Sequence, residues 1–179
     1  MQLTFDEKPN TYIDGRTPLH LAVEHGKTEL TKLLIENGSD DKLDDYKKEL
    51  PIHAAAKYGE IDCLRLLIER KTNSINVQDD IGWAPLHFAA ESGNPDCIQF
   101  LIDNDANVNA TNNVDDTPLH VVGLSKFGTK DEKEKCCKIL IKAGADLHAK
   151  SLINNSPLDL EFIKDFVTRR PELLDFTNS

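Results

Sequence analysis

No stretch of this 179-residue chain approaches the roughly 18 consecutive apolar residues that a membrane-spanning helix needs. Met1 to Asn10 also lack an apolar run behind a basic start, so a soluble, cytoplasmic protein is expected. Positive charge is scarce: 21 Lys and Arg face 31 Asp and Glu, a formal net charge of -10. Phosphate backbones and anionic membrane surfaces are repelled on average, so neither nucleic acid nor membrane is an expected partner. The four cysteines, Cys63, Cys97, Cys136 and Cys137, lack the CxxC or Cys/His spacing of a zinc site. A chain of this size needs no disulfide framework, which fits a reducing compartment. GxSxG, GxxxxGK, HExxH and a glycine-rich dinucleotide signature are absent too. No catalytic residue, metal site or cofactor is expected.

What is present is a repeat. Thr17-Pro18-Leu19-His20, Leu50-Pro51-Ile52-His53, Ala84-Pro85-Leu86-His87, Thr117-Pro118-Leu119-His120 and Ser156-Pro157-Leu158-Asp159 recur with proline spacings of 33, 34, 33 and 39. Gly26, Gly59 and Gly93 each lie eight residues after their proline, ahead of Leu33-Leu34-Ile35, Leu66-Leu67-Ile68 and Phe100-Leu101-Ile102; the fourth unit supplies Ile139-Leu140-Ile141. Thr17 can cap a helix through its hydroxyl, with Pro18 at the first helical position, where a missing N–H costs nothing. Gly26 suits the left-handed residue that ends a helix, and Leu30, Leu33 and Leu34 share one face of a second helix.

With Asp14-Gly15-Arg16-Thr17-Pro18-Leu19-His20-Leu21-Ala22 and Ala143-Gly144-Ala145-Asp146, the chain closely resembles the ankyrin repeat family over about residues 12–168. The resemblance implies an all-α solenoid of stacked helix-turn-helix units with projecting β-hairpin-like turns. The expected division is a lead-in at 1–11, repeats at about 12–44, 45–78, 79–111 and 112–150, a partial capping repeat at 151–168, and a tail at 169–179. One hairpin cannot cover its own apolar face, so neighbours must stack; Ala54, Ala55, Ala89 and Ala90 allow close approach.

The pattern breaks in four places. Leu50 and Ala84 stand where Thr17 and Thr117 cap, and Lys48 stands where Gly15 and Gly82 do. Repeat four is six residues longer, and Val122 to Lys135 reads as a long connection, either a solvated mobile loop or a specificity element. The last repeat has Asp159 in place of His, a helix expected over Leu158 to Thr168, and Leu173, Leu174 and Phe176 to fold back as a final turn.

The residues that invite chemistry fall into repeat columns. His20, His53, His87 and His120 occupy the position that the family uses to brace adjacent turns by hydrogen bonds. Leu30, Cys63, Cys97 and Cys136 read as one apolar core column. Asp40-Asp41, Asp44-Asp45, Asp79-Asp80 and Asp115-Asp116 recur in the turns and read as a solvated acidic edge. Asn109 resembles the asparagine that oxygen-dependent hydroxylases modify in this family.

The resemblance places a protein partner along the turn tips and the exposed face of the first helices. The positions carried over are Arg16, Glu24 and His25; Tyr46, Lys47, Glu49, Lys57 and Tyr58; Asp80, Ile81, Trp83, Glu91 and Ser92; and Asn113, Val114 and Asp116. Tyr46, Tyr58 and Trp83 are the expected anchors, because aromatic residues bury large area with few rotors. For Trp83, packing against its own turn is an equal alternative. Acidic turns around that centre suggest steering of a basic partner. The expected protein is a monomeric, non-catalytic adaptor or inhibitor. A regulatory or targeting fragment of a larger enzyme stays open, as does an effector that an intracellular bacterium or virus delivers into the host cytosol.

Overall fold

A computed structural model describes residues 10–70 and 74–176. The expected packing of Leu3 and Phe5 in the lead-in lies outside these residues. Four helix pairs follow one another: α1 (Pro18–Glu24) with α2 (Thr28–Glu36), α3 (Pro51–Tyr58) with α4 (Ile61–Glu69), α5 (Pro85–Ser92) with α6 (Pro95–Asp103), and α7 (Pro118–Leu124) with α8 (Lys130–Lys142). A 3-10 turn at Pro157–Asp159, α9 (Glu161–Arg169) and a 3-10 helix at Pro171–Phe176 close the C-terminal end. The first helices pack in series, α1 on α3 on α5 on α7, and so do the second helices. No strand forms among the described residues; the turns carry a single bridge, Ile13 to Arg16.

Proline starts each first helix, and Gly59 and Gly93, at φ 75° and 71°, end α3 and α5 in the left-handed conformation. α3 packs on α5, and Ala54, Ala55, Ala56, Ala89 and Ala90 on these two helices are all buried, small side chains that let the backbones lie close. Gly123 does the same for the last unit: a Cβ there would lie 2.6 Å from Leu160 Cδ1.

Four expectations need correction. Leu30 is 46% exposed, whereas Cys63, Cys97 and Cys136 are fully buried. Cys63 Sγ lies 3.6 Å from Thr31 Oγ1 of the preceding unit, so this column faces backwards; no described unit precedes Leu30, which stays open. The carboxylates do not form a uniformly solvated edge. Asp41, Asp45 and Asp79 are buried, because Asp41 pairs with Arg70 at 3.0 Å and the other two organise their turns.

The six-residue insertion is not a long loop. Only residues 125–129 are irregular, and the rest extends α8 to 13 residues against nine in α6. Thr129 and Glu132 form a capping box, Thr129 N–H donating to Glu132 Oε2 at 2.7 Å, and this nucleates the extra turn. The connection is also pinned: Ser125 Oγ donates to Glu91 O at 2.6 Å and Lys133 Nζ to Ser125 O at 2.8 Å. Finally, the helix expected over Leu158 to Thr168 is broken. Asp159 Oδ2 accepts from Ser156 N and Oγ at 2.7 and 2.8 Å and closes a single 3-10 turn; Leu160 is then extended, at ψ 124°, and reaches towards Gly123.

Candidate partner-binding ridge

The second, third and fourth turns are each built on a side chain that replaces missing backbone bonds. Asp45 Oδ1 accepts from the N–H of Lys47 (2.7 Å) and Glu49 (3.0 Å), Asp79 Oδ1 from Ile81 (3.0 Å) and Trp83 (2.7 Å), and Asn112 Oδ1 from Val114 (3.0 Å) and Asp116 (2.9 Å). The chain then needs a left-handed residue, supplied by Gly82 at φ 80° and, at the same position, by Lys48 at φ 62°. Burial pushes the Asp79 carboxyl up, while the two N–H bonds hold it down in part.

The turns are also tied to one another. Asp80 N–H donates to Lys47 O (3.1 Å), Asn113 N–H to Ile81 O (3.1 Å) and Leu152 N–H to Val114 O (2.9 Å). From below, the histidines reach the next turn: His20 Nε2 to Glu49 O (2.9 Å), His53 to Val77 O (2.9 Å), His87 to Asp116 O (3.1 Å) and His120 to Asn155 O (3.1 Å). Nδ1 of His53 and His87 accepts the N–H of Leu50 and Ala84, which have no side-chain oxygen with which to cap. Both ring nitrogens are spent on backbone. Among the described residues, no group of three His, Cys, Asp or Glu side chains is placed to hold a metal ion.

On this framework Tyr46, Ile81 and Val114 stand outward, 65%, 52% and 48% exposed. Tyr46 lies over Gly15, with Arg16 and Lys47 cations 6.0 and 5.7 Å from its ring centre. Leu152 and Ile153, on the fifth turn, extend the same row and are 66% and 76% exposed. Sequence reasoning passed over them because that repeat was read only as a cap. The signal was there: an apolar residue four or five places before the proline recurs at Tyr46, Ile81, Val114 and Ile153.

The remaining positions divide. Arg16 donates to Glu24, whose other oxygen accepts from Tyr58 Oη at 2.8 Å, so these three link the first two units. Burial alone would raise the Glu24 carboxyl, but the Tyr58 bond and the Arg16 charge outweigh it and hold it below the usual range. Lys57 Nζ sits 3.5 Å from the buried Glu49 carboxylate. Glu91 nearby is raised by burial against the pull of Lys57, and Asp116 is raised by burial against His120. Asp80 and Asn113 are joined at the tips, Asn113 Nδ2 donating to Asp80 O at 3.1 Å. His25 is an exposed helix end whose N–H donates to Leu21 O.

Two positions face inward. Trp83 is half-buried, edge-on to Phe88 with ring centres 5.1 Å apart, and Ser92 Oγ donates to Ala89 O at 3.2 Å. Asn109 is exposed, and its amide is engaged at both ends: Nδ2 donates to Gly144 O (3.0 Å) and Oδ1 accepts from Asp146 N–H (2.8 Å).

No helix among the described residues is long and apolar enough to cross a membrane. No curated protein matches the chain. A sequence model of ankyrin repeats, in three copies, matches residues 2–79 and 71–151, most of the chain and all four helix pairs. The stacked pairs, the proline-started first helices and the histidine braces agree with that match, and the chain belongs to the ankyrin repeat family.

Proposed function

We propose that this chain is a non-catalytic adaptor or inhibitor that binds a folded partner protein along its turn ridge and the adjoining ends of the first helices. Ankyrin repeats are in general protein–protein interaction modules. The observation that carries the reading is the row Tyr46, Ile81, Val114, Leu152 and Ile153, exposed apolar side chains on turns already cross-linked by backbone hydrogen bonds. Apolar side chains on a rigid support lose little entropy when covered, which favours binding.

A basic partner surface fits this ridge. The repeat at its centre, residues 79–111, carries Asp80 at the turn tip and Glu91 on the first helix, and no Lys or Arg. Such a field speeds encounter with a cationic partner at low salt. The test is affinity capture with the wild type and with a Tyr46→Ala/Ile81→Ala/Val114→Ala variant, partners identified by mass spectrometry and binding then measured with the purified partner. Loss of about tenfold or more in affinity with unchanged stability is expected, since core contacts of an interface cost upwards of ~1 kcal/mol each. A partner that binds both proteins equally well sinks the proposal.

A further inference from the structure

On the second-helix row, away from the turns, one helix departs from the others in charge. Asp62 and Glu69 of α4, and Asp96 and Asp103 of α6, stand at positions that α8 fills with Lys135 and Lys142, with Lys138 between them. Spaced three and four apart, the three lysines form one stripe. In a chain of net charge -10 this is a local reversal, and it lies along a depression.

A groove of about 1030 Å³ runs beside α8, and these lysines form one of its walls. Half-buried Ile102 of α6 and Ile139 of α8 supply apolar surface inside it. The extra turn of α8 lengthens the wall, because the insertion continues that helix backwards past Glu134. Lys138 makes no ion pair among the described residues. Lys135 reaches Asp131 at 2.6 Å, and Lys142 lies 5.6 Å from the Phe176 ring centre. Both contacts are at the surface, where such pairs are weak and exchange easily. Asp96 and Glu132 also line the groove; Glu132 spends its carboxylate on Thr129.

We propose that this groove is a second docking site, which takes an acidic amphipathic helix of a partner protein. Its apolar side would rest on Ile102 and Ile139, and its carboxylates would face Lys138, Lys142 and, past Asp131, Lys135. The mode is a helix laid in a groove, with apolar anchors for affinity and charge for specificity. The overall negative charge works against nucleic acid at the same place. This site does not rest on the turn-ridge reading, although Lys57, Tyr58 and Ser92 at the ends of the first helices line the groove as well.

The probe is a fluorescein-labelled peptide of about 14 residues, long enough for about four helical turns, with Leu along one face and Glu elsewhere. A peptide with Lys for Glu is the reference. Anisotropy should show binding of the Glu peptide alone, with amide shifts confined to α6, α8 and the groove's other lining at residues 57–59 and 92–94. Lys135→Glu/Lys138→Glu/Lys142→Glu should weaken it about tenfold or more, as reversed charges repel. Tyr46→Ala/Ile81→Ala should leave it unchanged. The three lysines are exposed, so the variant should keep its far-ultraviolet spectrum; if it does not, Lys138→Glu alone carries the comparison. No binding by the wild type, equal binding by the lysine variant, shifts centred away from the groove's lining, or tighter binding of a single-stranded oligonucleotide there would each overturn the proposal.

Discussion

His53 Nε2 lies 2.9 Å from the carbonyl oxygen of Val77, while its Nδ1 accepts the Leu50 N–H at 2.8 Å. Only one tautomer serves both, the neutral ring with its proton on Nε2. A second proton would set Nδ1–H against Leu50 N–H in a fully buried place.

This makes stability pH-dependent with a definite sign. Burial lowers His53 and His87 to about 4, against 6.5 unfolded, and lowers His20 as well. Above pH 6.5 their contribution is fully present; as pH falls below 6.5 the unfolded chain takes up protons that the fold refuses. Two such groups cost of the order of 4 kcal/mol by pH 5. Urea midpoints at pH 7, 6 and 5 should fall steadily, and His53→Gln should flatten the slope. Asp79, Glu91 and Asp116, raised by burial, work the other way at the acid end of that window. A midpoint constant from pH 7 to 5 would contradict the buried neutral tautomer.

Lys48 holds φ 62° where the equivalent turns have Gly15 and Gly82. An L side chain there costs roughly 1–2 kcal/mol, and its exposed ion pair with Asp44 at 2.9 Å returns little. Lys48→Gly should therefore raise the stability by about 0.5–1 kcal/mol, after allowing for the greater freedom of glycine in the unfolded chain. Chemical denaturation of the pair decides it.

The four cysteines are fully buried, and burial pushes the Cys97 and Cys136 thiols up to about 12. The thiolate is the reactive form, so native protein should react with a disulfide reagent only as fast as it opens, and all four thiols should titrate in urea. Rapid labelling of one thiol in the native state would show a unit that opens separately.

The repeat was legible because proline, histidine and glycine act locally, on their own turn. Burial was less so, since it depends on what stands in front: Leu30 and Cys63 share a position, yet only Cys63 has a preceding helix over it. The inward aspartates were hidden because the same residue serves a solvated tip at Asp80 and a turn-organising acceptor at Asp79. Thr129 and Glu132 were readable as a helix start but were absorbed into an assumed loop.

That ordered connection can be tested. Gly128, at φ 75°, lies against Gly93, and an added Cβ would stand 3.2 Å from the Gly93 Cα. Gly128→Ala should cost about 1–2 kcal/mol through left-handed strain and crowding. It should also open the connection to trypsin at Lys126 and Lys130, which the wild type should resist. Equal cleavage rates would mean that the connection is mobile already.

Tyr46, Tyr58 and Trp83 are the anchors expected from the sequence, with packing against its own turn an equal alternative for Trp83, and the fold sets Trp83 and Tyr46 apart. Trp83 packs on Phe88 and touches the core, whereas Tyr46 is two-thirds exposed above Gly15. Trp83→Ala therefore removes buried contacts and should cost about 2–3 kcal/mol, less than a fully buried aromatic. Tyr46→Ala should stay within about 0.5 kcal/mol, as exposed positions do, while carrying most of the loss in partner affinity. Measured by urea unfolding and by titration of the partner, the two variants should separate stability from binding. A destabilised Tyr46→Ala, or a Trp83→Ala that binds poorly at full stability, would place the tryptophan back in the interface.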